Sequence, residues 1–509
     1  MQDLTGALLD AIGHQQAARY AEAEAGYRSV LADWPDEPQA TYLYGLLQLR
    51  TGRVAAATRS LARAVELRPS HLAARLGLGR AMLAEGRFGE ALATADTALA
   101  QEPGNAQALF VRGTALGALG RPSDAVLVLR AAIAADPANA SAHLNLGNAL
   151  ADLDELAAAE AAIHHAVALD PALLEAQVSL GFILTSLGRL GEAIAACEAA
   201  IALQRDCAQA HWNLAVAALL AGDYTRGFAE YEWRKRHDRF RRDFVDLPGP
   251  AWNGDDPAGR TILVHAEQGF GDTIQFARYL PLIAARGARV VLACDARLVP
   301  LLATLPGVMA VPVDAAPPPY DAWIDQMSLP RVFATGPTTI PAARGYLAAD
   351  PVRAAAWWGT LPAGRKVGVA WAGNPIHSND CRRSLPADGA AALVATPGIS
   401  FVSLQLGPRS GEAGLPDLAA RLPDYAETAA LVANLDLVVT IDTSVAHLAG
   451  ALGVPCWVLL PFAPDWRWRL GCDDCAWYAS VRLFRQPAPG AWRDVVDRVA
   501  AELVVWSSA

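Results

Sequence analysis

The chain has 509 residues, too many for one hydrophobic core, and this length predicts about three domains. Hydrophobic residues make up 53% and charged residues 18%, a composition that excludes an intrinsically disordered protein. Lysine and arginine number 42 against 52 aspartates and glutamates, so the net charge of −10 argues against a nucleic-acid-binding protein, which needs many cations to neutralise phosphates.

The first residues of the chain lack the positive segment and apolar stretch of a signal peptide. No run of apolar residues reaches the roughly 18 that a transmembrane helix needs. The seven cysteines are odd in number and scattered along the chain. We therefore expect a reduced, cytoplasmic protein without a transmembrane segment.

A 34-residue period runs through the first half of the chain. Four series share this step: prolines from 35 to 171, glycines from 45 to 181, and alanines from 57 to 193 and from 64 to 200. A further glycine falls between the two predicted helices of most units, where a chain reversal needs a positive φ. The pattern resembles the tetratricopeptide repeat, a helix–turn–helix of 34 residues. Five units cover 38–207, and divergent units at 4–37 and 208–241 predict the capped ends of an α-helical solenoid.

The resemblance implies a concave groove that binds extended peptides or partner proteins, although a passive spacer or an oligomerisation surface is the alternative. Residues 1–233 hold 16 basic and 26 acidic side chains, whereas the remainder holds 26 of each. All of the excess negative charge therefore lies on the array, which favours a neutral or basic polypeptide partner. A basic run at 234–242 predicts a solvated helix end or a domain contact.

After a connector rich in proline, glycine and aspartate at 246–259, strands and helices alternate. Buried strands are predicted at 261–266 and 288–294, with one helix between them that extends to about residue 286, and this β-α-β order indicates a parallel sheet. A second alternating block has the predicted elements 367–373, 401–407, 425–435, 436–442, 444–452, 455–461 and 491–506. We expect two facing Rossmann-like lobes, at 242–356 and 357–509, behind a repeat array at 1–241, with ligands at the carboxyl ends of the strands.

The turn at 267–272 follows the first predicted strand. Gly269 and Gly271 allow a substrate to approach the backbone, and Asp272 lies at the start of the next helix. Two glycines do not complete a dinucleotide-binding fingerprint. Asp272 is either a general base or a plain cap of the helix.

A polar run follows the strand at 436–442 and opens a helix. Asp442, Thr443 and Ser444 stand at the helix start, where free N–H groups and the helix dipole favour an anion such as a diphosphate, and His447 lies one turn further. The alternatives are plain N-capping by Asp442 and Ser444 and a His447 that faces the core.

The loop at 372–384 contains several polar side chains, Asn374, His377, Arg382 and Arg383. Arginine binds phosphate with two parallel hydrogen bonds, so this loop is a candidate donor-binding segment, and a solvated surface loop is the alternative. Tryptophans crowd 457–477 and either wall a sugar or base pocket or fill an interface. Cys472 and Cys475 form a lone C-x-x-C without a second ligand pair, so we expect no metal.

Four segments resemble bacterial glycosyltransferases of the heptosyltransferase-related group (glycosyltransferase family 9), in the version preceded by tetratricopeptide repeats. They are QGFGDTIQFARYLP, AWAGNPIHSNDCRRS, DLVVTIDTSVAHLAGALGVPCWVLLP and PDWRW. The resemblance implies the two-lobed GT-B fold and a metal-independent, usually inverting transfer. It assigns the catalytic carboxylate to Asp272 and donor contacts to a run that matches the family's Asp-Thr-Ser-x-x-His, namely Asp442, Thr443, Ser444 and His447.

In that family the phosphate-binding cation is often a lysine in the loop after the first strand of the second lobe, whereas this chain has His377, Arg382 and Arg383 there. The resemblance therefore predicts a transferase that moves a sugar from a nucleotide-sugar donor to a hydroxyl of a protein or glycan acceptor, with no cofactor. The alternative is a scaffold that has kept the fold and uses its repeats for protein assembly.

Overall fold

The computed structural model describes residues 4–342, 345–377 and 379–508, without the side chains at 242 and 243. The chain divides between Ile183 and Leu184 into two compact units. This division lies inside the predicted repeat array, so the last helices of the array pack together with the α/β part. The predicted domain limits at 241 and 356 stay predictions.

Helices alone build the first unit, and successive helices pack against each other. Their bounds are α1 Leu4–Gln16, α2 Tyr20–Asp33, α3 Pro38–Arg50, α4 Val54–Leu67, α5 Leu72–Ala84, α6 Phe88–Gln101, α7 Ala106–Ala118, α8 Pro122–Ala135, α9 Ala140–Asp152 and α10 Leu156–Leu169, with α11 Leu174–Ser186 across the division. The predicted glycines between helices have positive φ, for example 72° at Gly120, which confirms the chain reversals. Asp154 takes the same conformation, φ 60°, where the repeat lacks its glycine.

Small residues let the two helices of a unit approach closely. A Cβ added to Gly113 in α7 would lie 2.6 Å from Cγ of Leu129 in α8. The alanines of the two predicted series, such as Ala57 and Ala64, are fully buried. The periodic glycines and alanines therefore mark the helix contacts, as the pattern predicts.

Gly113→Ala should lower the free energy of unfolding by about 1–3 kcal/mol, because the added methyl group overpacks the contact with Leu129. Gly117, one turn later in the same helix, has only Ala125 at an ordinary 3.9 Å. Gly117→Ala should therefore be neutral or stabilise by up to about 1 kcal/mol through helix propensity. Urea unfolding followed by circular dichroism compares the two, and equal effects would contradict the packing explanation.

The second unit begins with α12 Leu190–Leu203, α13 Ala208–Leu220 and α14 Tyr224–Glu230, followed by 3₁₀ turns at Tyr231–Arg236 and Asp238–Asp243. Aromatic side chains of this segment pack on tryptophans from the end of the chain. Trp466 has the rings of Phe228 and Tyr231 at 5.7 and 6.1 Å, and Tyr224 stacks on Trp477 at 5.9 Å. These tryptophans fill the core of the unit, as one of the two alternatives predicted.

The basic run at 234–242 is only partly a solvated segment. Arg239 is exposed, whereas Arg234 is fully buried, which corrects the expectation of a solvated helix end at that residue. Its guanidinium donates to both carboxylate oxygens of Glu267, at 2.9 and 2.6 Å, and to Oγ of Ser328 at 3.0 Å. Arg234 therefore ties the end of the helical segment to the turn after the first strand. The side chain of Arg242 lies outside the described part.

The first parallel sheet has the strand order β3-β2-β1-β4 among the described residues. Its strands are β1 Thr261–His265, β2 Arg289–Cys294, β3 Val308–Pro312 and β4 Ala322–Asp325. Its helices are α15 Phe270–Phe276, α16 Leu280–Ala285, α17 Val299–Leu302 and α18 Leu329–Val332. The predicted single helix up to about residue 286 is wrong, because Pro281 lacks an N–H and its ring clashes with the preceding turn, so a 3₁₀ turn at Ala277–Tyr279 separates α15 from α16.

The second parallel sheet follows α19 Pro351–Trp358 and has the order β6-β5-β7-β8-β9 within the described ranges. Its strands are β5 Lys366–Ala370, β6 Ser400–Ser403, β7 Leu437–Ile441, β8 Cys456–Leu460 and β9 Val481–Arg485. Its helices are α20 Asp380–Arg383, α21 Ala387–Val394, α22 Tyr425–Val432, α23 Ser444–Leu452 and α24 Trp492–Ser508. Every residue of β7 and β8 is buried, as expected for parallel strands covered on both faces. In the part that the structure describes, no helix has the length and apolar character needed to cross a bilayer.

Candidate functional site

The carboxyl ends of strands from both sheets meet within the second unit. The turn after β1 packs against the start of α23, which follows β7, because a Cβ added to Gly271 would lie 2.6 Å from Cδ2 of His447. Only a residue without a side chain fits this contact. The sequence-predicted residues Gly271, Asp272, Asp442 and His447 are therefore neighbours in the structure.

Asp272 is held by hydrogen bonds on both carboxylate oxygens. Oδ2 accepts from the backbone N–H of Gly269 at 2.9 Å, so the side chain does cap α15, as the alternative interpretation expects. Oδ1 accepts from Nη2 of Arg467 at 2.5 Å. Burial raises the pKa of the Asp272 carboxyl, and the Arg467 guanidinium opposes that rise. The side chain remains 21% exposed, so a hydroxyl from solution can reach it.

Sequence reasoning assigned no role to Arg467 or Asp465, which the structure places at the centre of the site. The guanidinium of Arg467 donates from Nη1 to Asp465 at 2.9 Å and from Nε to Oε1 of Gln275 at 2.5 Å. Both residues belong to the PDWRW segment that follows β8. A signal was present, since this segment follows the buried strand β8 and loops after neighbouring parallel strands lie at the same sheet edge.

Asp442 directly follows β7. Burial, and after it the nearby Asp465, raises the pKa of Asp442 to about 6, while Arg383 and the indole of Trp468 favour the charged form. The indole N–H of Trp468 is buried without an acceptor in hydrogen-bonding geometry. The site therefore holds a carboxyl that changes its charge close to neutral pH.

Thr443 caps α23, which corrects the alternative that Asp442 and Ser444 do so. Its Oγ1 accepts from the N–H of Val445 at 3.3 Å, and Ser444 Oγ instead forms a 2.6 Å hydrogen bond with the hydroxyl of Tyr425. The side chain of Asp442 is thus not needed for the cap and stays available at the strand end.

His447 faces the core, as one of the two interpretations expected. It is 5% exposed, its Nδ1 lies 2.9 Å from the hydroxyl of Tyr478, and its ring stacks on Trp468 at 5.5 Å. Burial and the cations Arg467 and Arg278 hold the pKa of His447 well below its usual range. The imidazole is therefore neutral at physiological pH, and its ring packs against Gly271.

The loop after β5 has an exposed part and a part that is held by side-chain contacts. Asn374 and His377 are exposed, with Asn374 Oδ1 accepting from the N–H of Ile376 at 3.1 Å. Arg383 lies over Gly373, where an added Cβ would be 2.7 Å from Nη2, and its Nε is 3.4 Å from Asp380. This arginine reaches Asp442 electrostatically and favours its charged form.

Arg382 is half-buried beside Arg383. The loop therefore brings Arg383 to the site, whereas Asn374 and His377 lie on its rim. Ser378, within the same loop, lies outside the described residues. The part of the chain that the structure describes contains no group of three His, Cys, Asp or Glu side chains suited to a metal ion.

Asp442→Asn should raise the free energy of unfolding by about 1–2 kcal/mol at pH 8, because the folded protein then no longer buries a charge. The ordinary pKa of aspartate is about 3.9. Above pH 6 only the folded state bears the cost of the buried charge, and below pH 4 both states are protonated. The gain should therefore fade between pH 6 and pH 4 in urea unfolding. The exposed Asp314, changed to Asn, serves as the control, and a pH-independent gain at residue 442 would contradict the assignment.

Comparisons with known proteins agree with the repeat array. Two tetratricopeptide-repeat families match the chain. One matches residues 48–110, and the other matches residues 8–70, 110–173 and 183–232. Protein FlbA of Caulobacter vibrioides is 31% identical in an alignment of 335 positions that covers 58% of this chain and 55% of that protein. The chain thus spans about half the length of the curated relative that it matches.

Two similar solved structures are repeat proteins. A thermophilic tetratricopeptide-repeat protein of Thermus thermophilus is 28% identical and covers 36% of this chain and 100% of its own, with a TM-score of 0.33. YrrB, a tetratricopeptide-repeat protein with an unusual peptide-binding site, is 21% identical over 36% of this chain and 95% of its own, with a TM-score of 0.29. The family matches show that the first part of this chain is a solenoid of tetratricopeptide repeats, and an α/β region with two parallel sheets follows it.

Proposed function

We propose that the chain is a metal-independent glycosyltransferase of GT-B type, which moves a sugar from a nucleotide-sugar donor to an acceptor hydroxyl. The observation that carries the proposal is the position of Asp272. Its carboxylate, from the first turn of α15 after β1, lies beside the polar start of α23 in the region of the second sheet, and its side chain is 21% exposed. A base from one sheet and an anion site from the other are the two components that such a transfer needs.

The donor diphosphate would lie at the start of α23. The N–H groups there favour an anion, and Arg383 adds a positive charge close to Asp442. Asp442, Thr443 and Ser444 would orient the donor, with the loop residues Asn374, His377 and Arg382 at the rim. His447 would act through packing, since it is buried and neutral.

In the reaction, Asp272 takes the proton of the acceptor hydroxyl while the acceptor oxygen bonds to the anomeric carbon. The bond from that carbon to the diphosphate oxygen breaks, and its electron pair leaves with the nucleoside diphosphate. Attack from the side opposite the leaving group inverts the anomeric carbon. Positive groups that already face the diphosphate stabilise its developing charge without reorganisation.

The repeat array would hold a polypeptide acceptor or a protein partner that delivers it. The proposal follows from the repeats themselves, whose family is matched along most of the first 232 residues, and from their negative charge, which favours a neutral or basic partner. We place the activity in the reducing cytoplasm, in keeping with the seven free thiols among the described cysteines.

The direct test incubates the full-length chain with a panel of nucleotide sugars and measures both the release of nucleoside diphosphate and the thermal shift with each nucleotide. One nucleotide sugar should raise the unfolding temperature and be turned over slowly by water, and faster with an acceptor peptide. No shift and no release with any nucleotide sugar would instead favour a repeat scaffold with a non-catalytic α/β region.

A further inference from the structure

Arg467 connects the two sheets through a single buried guanidinium. Its side chain is 7% exposed and reaches from the segment after β8 to Asp272 and Gln275 in α15, while also bonding Asp465 next to it in sequence. One arginine therefore contacts three acceptors, two of which belong to the other sheet's first helix.

Packing restricts the guanidinium to this position. Its central carbon lies 4.3 Å from the ring centre of Trp466 and 5.7 Å from that of Phe276, so aromatic rings from both lobes flank it. Gln275 is fully buried, and its amide presents the oxygen to Arg467 while its nitrogen has no acceptor among the described residues. The planar fork of arginine suits this arrangement, and the single ammonium group of lysine does not.

Asp272 receives one hydrogen bond on each oxygen, from Arg467 and from the N–H of Gly269. A carboxylate oxygen has two lone-pair directions, so each oxygen keeps one that can accept a proton. The two bonds fix the plane of the carboxylate, and the side chain as a whole remains 21% exposed.

We propose that Arg467 is a positioning residue, which holds the Asp272 carboxylate in the orientation from which it takes the acceptor's proton. This inference rests on the proposed transferase function. Arg467 itself transfers no proton, because a guanidinium remains charged at every physiological pH.

Removal of Arg467 also changes the electrostatic surroundings of Asp272. The charged and titratable groups that face the pair are Asp465 beside Arg467, Asp442 after β7, Tyr231 from the 3₁₀ turn, and the neutral His447 of α23. Without the guanidinium, burial and the negative Asp465 disfavour the charged form of Asp272, and the hydrogen bond from the N–H of Gly269 still favours it.

The test measures kcat, the KM for the donor and the pH profile of kcat/KM for Arg467→Met and Arg467→Lys. Arg467→Met should lower kcat by about 10- to 100-fold, leave the donor KM within about threefold, and move the acidic limb of kcat/KM upward by about one pH unit or more. Arg467→Lys should also lower kcat, because lysine cannot reproduce the planar set of hydrogen bonds of the guanidinium. It should move the acidic limb of kcat/KM less than Arg467→Met does, because the positive charge is retained. Arg469→Met, which removes a guanidinium without a hydrogen bond to the described site residues, should resemble the wild type.

The outcomes separate the inference from the function on which it rests. A wild-type chain that turns over no nucleotide sugar refutes the proposed function and this inference together. Wild-type turnover combined with an unshifted acidic limb and an unchanged kcat in Arg467→Met overturns the inference alone. Failure of both variants to fold, judged by circular dichroism, also overturns it, because Arg467 is then a structural residue.

Discussion

Asp272→Asn should lower turnover of the cognate nucleotide sugar by about 100-fold or more, because a positioned general base accelerates a reaction by at least about that factor. Asparagine has the same shape, and its oxygen can still accept from Arg467, so donor affinity should stay close to that of the wild type. Steady-state release of nucleoside diphosphate, with donor binding measured by calorimetry, separates the two quantities.

Asp295→Asn is the matched control for that experiment. Asp295 directly follows β2, at the same edge of the first sheet, but its side chain is 39% exposed and pairs with Arg297 instead of a residue of the second sheet. Its replacement should leave turnover unchanged. Full activity of Asp272→Asn would show that another group takes the acceptor's proton.

Arg234→Ala should lower the free energy of unfolding by about 3–5 kcal/mol, because it leaves the carboxylate of Glu267 buried without its counter-ion. Neither side chain has any exposed surface, and within the described residues Glu267 Oε1 accepts one further bond, from the N–H of Met327 at 3.0 Å. Burial raises the pKa of Glu267, and Arg234 is what opposes that rise. Urea unfolding at neutral pH measures the loss.

Two further variants test this explanation. Arg493→Ala removes an exposed arginine that is 3.8 Å from Asp497, and the unfolding transition should hardly change. Arg234→Met combined with Glu267→Gln should be less destabilised than the sum of the two single variants, since the double variant buries no unpaired charge. Additive losses would mean that the ion pair itself contributes little and that the loss comes from packing.

The repeat array and the strands were predictable because their signals are local or periodic. Glycines such as Gly120 recur where a reversal needs a positive φ, and runs such as 456–460 are apolar throughout because both faces of a parallel strand are covered. The broken helix before β2 was missed, although Pro281 carried the information, because its apolar period continues across the break.

Half of the site was predictable, and the other half depends on contacts over long sequence separations. Asp272 and Asp442 follow strands and open helices, a pattern that one segment displays by itself. The partner of Asp272 is 195 residues away, in Arg467, and no local pattern relates the two. The same holds for the cap of α23, where three adjacent residues are all good caps and only the backbone geometry selects Thr443.

The aromatic contacts of Tyr224, Phe228 and Tyr231 have a practical consequence for anyone who divides this chain for expression. These rings cover Trp466 and Trp477, and Trp466 precedes the arginine that reaches Asp272. A fragment that begins at the connector near residue 246 would expose both indoles to water and invite aggregation. A fragment that keeps these contacts begins near Leu184, because the last helices of the array belong to the same compact unit as the α/β region.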